Sequence, residues 1–208
     1  PWPGVVSAIT FGVLGGLIHA VATVTFGVDH IVSGVAINIL GLGVTQYLAA
    51  TLLSGTPGGG SKQSPPIEAI GTFSVPGLPS LLEGIEDKQW FFISDVAGIV
   101  GGLTSNISYL TIIAILLLVL TFYVLWRTPF GLRLRSCGEA PYAAESLGVN
   151  VYLYKYVAVL VSGGLAGLGG AYLAIVAASN YRDGQTAGRG YIGLAAMIFG
   201  NWNPFGAA

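Results

Sequence analysis

Residues 107–126 read Ile-Ser-Tyr-Leu-Thr-Ile-Ile-Ala-Ile-Leu-Leu-Leu-Val-Leu-Thr-Phe-Tyr-Val-Leu-Trp, twenty positions without an Asp, Glu, Lys or Arg. As a helix rising ~1.5 Å per residue, this stretch covers a bilayer core of ~30 Å. Three more stretches, 5–26, 31–53 and 156–178, are equally free of charge. The whole chain of 208 residues is 8% charged and 53% hydrophobic, with a mean hydropathy of +0.76. Soluble domains carry ~25% charged residues, so a water-exposed surface cannot be built from this composition. The fold class is an all-α polytopic transmembrane helical bundle with about four complete spans. A partial C-terminal span starts at Tyr191 and is interrupted by Asn201, Asn203 and Pro204. The chain opens Pro1-Trp2-Pro3 with no basic stretch, and its one methionine is Met197; it reads as an internal fragment of a longer membrane domain, 1–208.

Composition also sets what the chain does not do. A net charge of −1 with no Lys/Arg run excludes a nucleic acid polymer as partner. A lone Cys137 and two histidines eleven residues apart, His19 and His30, offer no zinc spacing, so no metal is expected. No cofactor is expected either. Lys62, Lys88 and Lys155 follow Ser61, Asp87 and Tyr154, which rules out a Gly-x-x-x-x-Gly-Lys phosphate loop. The spans hold no carboxylate or Lys/Arg of the kind that relays protons in ion-coupled transporters. With neither a paired carboxylate site nor a nucleophile beside a base, no catalytic residue is assigned and the chain is read as a non-enzyme.

Only Gly27-Val28-Asp29-His30 separates the first two spans, which makes them antiparallel neighbours. The segment 54–106 starts with a Gly-rich turn and holds Glu68, Glu83, Glu86, Asp87 and Asp95 against Lys62 and Lys88. Its Trp90-Phe91-Phe92-Ile93 piece suits an interfacial helix or lid. The segment 127–155 carries Arg127, Arg133, Arg135 and Lys155 against Glu139 and Glu145. By the positive-inside rule 127–155 faces the cytoplasm and 54–106 the exterior of a cell membrane.

Gly34, Asn38, Gly41 and Thr45 form a polar stripe on the second span. The stripe, with Gln46 and possible help from His19, serves either as the lining of a pathway for a neutral hydroxylated or amide-bearing solute or as hydrogen-bonding glue between helices. For His19 a packing role outweighs a ligand role. Gly163 and Gly167, and Ala166 and Gly170, recur at four-residue spacing on the fourth span, which lets helix backbones approach closely in lipid. Between the third and fourth spans, Pro141 suits a first helical turn and Gly148 a left-handed stop. The product is a helix of about two turns. On the residues alone it is a connector, with Ala143-Ala144 leaving a low-profile surface on which another protein could dock.

The stretches Arg127-Thr128-Pro129-Phe130-Gly131-Leu132-Arg133-Leu134-Arg135 and Gly138-Glu139-Ala140-Pro141-Tyr142-Ala143-Ala144-Glu145-Ser146-Leu147-Gly148-Val149-Asn150 closely resemble permease subunits of ABC importers for simple sugars and nucleosides. These are relatives of the ribose and branched-chain amino acid permeases. Residues 29–38, 162–170 and 186–196 are similar to the same family. Importer permeases carry a Glu-Ala-Ala-x-x-x-Gly motif that docks on the ATPase. Tyr142-Ala143-Ala144 and Gly148 match it except that Tyr142 stands where the motif has Glu, and Glu139 and Glu145 are the acidic side chains beside it. The resemblance implies a coupling segment of Gly138, Glu139, Tyr142, Ala143, Ala144, Glu145 and Gly148. It also implies a separate cytoplasmic ABC ATPase, a second permease subunit, an extracytoplasmic substrate-binding protein and a nucleoside or simple-sugar solute crossing among membrane lipids. The alternatives are an ATP-independent secondary transporter or channel, a membrane-embedded enzyme and a structural membrane subunit.

Overall fold

A computed structural model describes residues 1–68, 70–73 and 107–207. The Trp90–Ile93 interfacial piece lies outside the described residues, as does most of the 54–106 segment. The chain divides into two units, one of residues 1–69 and 118–208, the other of residues 70–117.

Four helices are long and apolar enough to cross a membrane, and the chain is a multi-pass membrane protein. The first, α1 (Trp2–Ala20), starts with a proline in its first turn, where the missing N–H costs nothing. It runs into a wider helical turn, Val21–Thr25, in which the Phe26 N–H reaches back five residues to the Val21 carbonyl at 3.2 Å. Gly27, at φ +66°, reverses the chain. Asp29 then caps α2 (His30–Leu52), its carboxylate accepting from the Ile31 and Val32 N–H groups at 2.8 and 3.2 Å.

In the 70–117 unit, β1 (Thr72–Phe73) pairs antiparallel with β2 (Ile107–Ser108), Thr72 opposite Ser108. The chain then enters α3 (Tyr109–Arg127) directly, with Leu110 fully buried and its N–H donating to Ser108 Oγ at 3.3 Å. Two short helices follow α3, α4 (Pro129–Glu139) and α5 (Pro141–Ser146). The fourth long helix, α6 (Val151–Tyr172), is capped by Asn150, whose Oδ1 accepts from the Leu153 N–H at 3.1 Å. That cap sets its start ahead of the charge-free stretch. It too ends in a wide turn, Leu173–Ala177, closed by Ala178 N–H on the Leu173 carbonyl at 3.1 Å. Then come α7 (Arg189–Phe199) and α8 (Pro204–Ala207).

The contact that organises the first unit is α1 against α6. Ala8 meets Gly167, Gly12 meets Gly163, and Gly16 meets Val159 and Gly163. One partner number rises as the other falls, so the helices are antiparallel. A Cβ on Gly12 would run into the Gly163 carbonyl oxygen, one on Gly167 into the Ala8 carbonyl oxygen, and one on Gly16 would lie 2.9 Å from the Val159 carbonyl oxygen. These are backbone-to-backbone contacts with no flexible side chain to give way. At Gly170 a Cβ would meet nothing within 4 Å among the described residues. Thr25 and Tyr156 exchange a hydrogen bond between their hydroxyls at the end of the seam.

Replacing Gly12 or Gly163 with Val should therefore destabilise the protein in detergent by at least the ~1–3 kcal/mol typical of overpacking. Gly170→Ala should leave the melting temperature nearly unchanged. Thermal unfolding of the purified variants checks the contrast.

Candidate coupling site and solute pathway

The α4–α5 segment is fastened at three points. Thr128 Oγ1 donates to the Val124 carbonyl at 2.6 Å and accepts from the Gly131 N–H at 3.2 Å, so one hydroxyl closes α3 and caps α4. Gly131 is buried so tightly in this corner that a Cβ would strike the Val124 and Leu125 carbonyls. Phe130 lies against Tyr154 of α6 with ring centroids 5.3 Å apart, and Arg133 donates to the Tyr154 hydroxyl at 3.4 Å. That hydrogen bond, with the charge interaction behind it, raises the Arg133 pKa further above its ordinary value. The guanidinium stays charged across the physiological range in any case, so this contact does not respond to physiological pH. Arg135 sits over the Trp126 ring, 5.3 Å from its centroid.

The α5 helix is anchored from one side. Ala144 is buried together with Cys137 of α4 and Val151 of α6, and Val149 and Tyr154 pack on the cluster. Gly148 adopts φ +81°, the left-handed conformation, and its N–H closes on the Glu145 carbonyl at 2.9 Å, while Val149 N–H takes the Ala144 carbonyl at 3.1 Å. Of the sequence-assigned coupling residues, Ala144 alone is buried, at 3% exposure. Gly138, Glu139, Ala143, Glu145 and Gly148 are exposed. Tyr142 and Leu147 stand out at 86% and 84%. The Ala-Ala pair is thus divided: Ala144 faces the α4–α6 corner and Ala143 faces away. A cavity of about 210 Å³ opens between α5, the start of α6 and the α1–α2 turn, lined by Thr23, His30, Tyr142, Glu145, Tyr152 and Lys155 among others.

The sequence-assigned pathway residues do not form one cluster. His19 Nδ1 is 2.9 Å from Ser33 Oγ, a buried hydroxyl one turn into α2, and the His19 ring lies 5.7 Å from that of His30. His19 therefore joins the α1–α2 hairpin. Thr45 donates to the Gly41 and Leu42 carbonyls of its own helix at 2.8 and 3.0 Å. Asn38 is exposed on α2. Gln46 reaches off the helix, its Nε2 donating to both carboxylate oxygens of Asp183 at 3.1 and 3.3 Å. The partners Ser33 and Asp183 were missed in the sequence. Ser33 lies on the same helical turn as the Asp29 cap, but nothing in the sequence points to Asp183, which comes to Gln46 from 137 residues away. Among the described residues no three His, Cys, Asp or Glu side chains converge as a metal site requires.

Because Ala144 fills a closed corner and Ala143 does not, Ala144→Leu should lower stability by about 1–3 kcal/mol. Ala143→Leu should fall within about 0.5 kcal/mol of the parent protein. Paired melting curves in the same detergent would reveal the split.

Comparison with known proteins gives a consistent setting for this geometry. The chain is 38% identical over its whole length to the guanosine ABC transporter permease protein of Bacillus subtilis, and covers 59% of that relative. It is 39% identical over 207 residues to the nucleoside ABC transporter permease protein of Lactococcus lactis, again covering 59% of it. Over 98% of the chain it is 29% identical to the putative glucose ABC transporter permease protein of Haloferax volcanii, covering 55% of that protein. The chain thus spans somewhat over half the length of these curated relatives. No solved structure matches it. The family model described as the branched-chain amino acid transport system / permease component matches residues 1–208, and the chain belongs to that family.

Proposed function

We propose that this chain is the greater part of a membrane permease subunit in an ATP-driven importer of neutral polar solutes, nucleosides first and simple sugars second. The observation that carries the reading is the divided Ala143–Ala144 pair. A short helix held through Ala144 against α4 and α6, with α4 fastened to the end of α3 by Thr128 and to α6 by Tyr154, and with Ala143, Tyr142 and Leu147 left outward, is suited to receive a push and pass it through α4 and α6 to two spans. In this reading the push comes from a separate cytoplasmic ABC ATPase, in keeping with the ABC transporter permease names of the relatives. A second permease subunit completes the passage and an extracytoplasmic binding protein delivers the solute. Two relatives at 38% and 39% identity carry guanosine and nucleoside transport in their names, which ranks nucleosides ahead of sugars.

In this reading 127–155 is cytoplasmic, 54–106 is external, and Asn38 and Gln46 face the solute. Thr45 and His19 contribute less because their polar atoms are already engaged. Alternating access then consists of tilting α3 and α6 together through the α4–α5 corner.

Uptake by the full-length protein, reconstituted with its ATPase and binding protein, tests the reading. Ala143→Arg should reduce ATP-driven nucleoside uptake at least tenfold and weaken ATPase co-purification, with membrane insertion intact. Undiminished uptake, or transport by the permease alone in liposomes, would replace the proposal with an ATP-independent carrier. Sidedness has its own test in a Cys137→Ser background, where Tyr142→Cys should react with a membrane-impermeant maleimide in inside-out vesicles and stay unlabelled in intact cells.

A further inference from the structure

The chain leaving α2 and the chain leaving α6 are laced together. Ser64 N–H donates to the Tyr181 carbonyl at 3.0 Å, Ile67 N–H to the Ser179 carbonyl at 2.8 Å and Asp183 N–H to the Lys62 carbonyl at 2.8 Å. Tyr181 N–H returns to Ser64 Oγ at 2.8 Å, and Gln63 bridges to Arg182. Main-chain bonds therefore fix where Asp183 stands. Its carboxylate arrives at Gln46, and one amide nitrogen serves both oxygens at 3.1 and 3.3 Å. No Lys or Arg side chain forms an ion pair with Asp183 among the described residues. In the same segment the Asn180 amide oxygen is buried without a hydrogen-bond partner among the described residues.

A carboxylate has about four acceptor sites, and a single shared amide nitrogen fills at most two. Asp183 is half-buried, so its remaining acceptor positions are open to water or to a solute at this rim. Two adjacent hydroxyls on a solute supply a parallel pair of O–H donors matched to the two carboxylate oxygens. A solute bearing its own carboxylate is repelled from the same place. Gln46 lies on the same helix as Asn38, two turns further along.

We propose that Asp183, positioned by Gln46 and the 60–67/179–185 lacing, is a specificity group at the outer mouth of the pathway that accepts hydrogen bonds from a vicinal diol of the solute. The inference rests on the importer reading and adds a chemical criterion to it: ribose-bearing solutes are preferred over those lacking the diol.

The test compares ATP-driven uptake of uridine and 2′,3′-dideoxyuridine by the reconstituted full-length complex, with one binding protein throughout so that any change in preference arises in the permease. Asp183→Asn should cut uridine uptake by about tenfold or more, as expected for losing a charge-assisted hydrogen-bond acceptor, and change dideoxyuridine uptake less than twofold. Asp183→Glu should restore part of the preference. Gln46→Ala, which leaves the carboxylate but loosens it, should narrow the preference by a smaller factor, and it carries the test if Asp183→Asn fails to insert. An unchanged ratio, or an equal fall for both solutes, overturns the assignment while leaving ATP-driven import standing. Absence of ATP-driven uptake of either solute, and of ribose when tried in their place, by the unaltered complex removes the importer reading and this inference with it.

Discussion

Within a bilayer, burial of apolar surface does not draw helices together, because lipid tails are as apolar as leucine. What remains is van der Waals contact, and that is greatest where backbones touch. The Gly12–Gly163 and Ala8–Gly167 approaches bring α1 and α6 to that limit, and the other elements of this unit are placed relative to the pair. Each of the two helices ends in a wide turn beyond the seam. One turn leads within a few residues into α2, the other into the segment that carries Asp183.

Under the proposed function, the rigid pair is what lets the α4–α5 corner act as a lever. Val151 and Tyr154, which hold Cys137, Ala144 and the Arg133 guanidinium, belong to the first turn of α6, the same helix whose middle is locked to α1. Thr128 and Gly131 bind the other end of the segment to the last turn of α3. A displacement of α5 therefore cannot be absorbed by a floppy connector. In the proposed cycle it moves α6 with α1 and pulls on the end of α3. The polar cavity at Glu145, Lys155 and His30 separates α5 from the α1–α2 hairpin, so the two are not welded into one block.

Charge-free length alone made the four long helices legible in the sequence, since no other structure satisfies backbone groups across ~30 Å of hydrocarbon. Pro141 and Gly148 likewise announced α5, because their backbone preferences are local. The seam was half legible: Gly163 and Gly167 stood out by spacing, but Gly170 shares that spacing and has open space beside it. Spacing gives a face of a helix, and which face meets a neighbour depends on the rotation of both helices. The α1 half, Gly12 and Gly16, was overlooked for the same reason. The division of Ala143 from Ala144 is a tertiary fact, set by Cys137 and Val151 rather than by anything in the pair itself.

The polar residues of the spans show why a stripe on a helical wheel is a weak guide to a pathway. Ser7, Thr10, Thr45 and Thr51 all donate to carbonyls three or four residues back on their own helices, which satisfies a hydroxyl in lipid without any neighbour. The side chains that bond away from α2 are those its own backbone does not engage, Ser33 near one end and Gln46 toward the other. Only Ala49 joins Ser33 among the buried residues of this helix, and Ile31, Val35, Ile39 and Leu42 are exposed. Among the described residues this helix is held at two polar points, whereas α1 and α6 are in backbone contact from Ala8–Gly167 to Gly16–Val159. The two polar points sit toward opposite ends of α2, His19–Ser33 where the α1–α2 hairpin turns and Gln46–Asp183 where the chain leaving α6 is laced to the chain leaving α2.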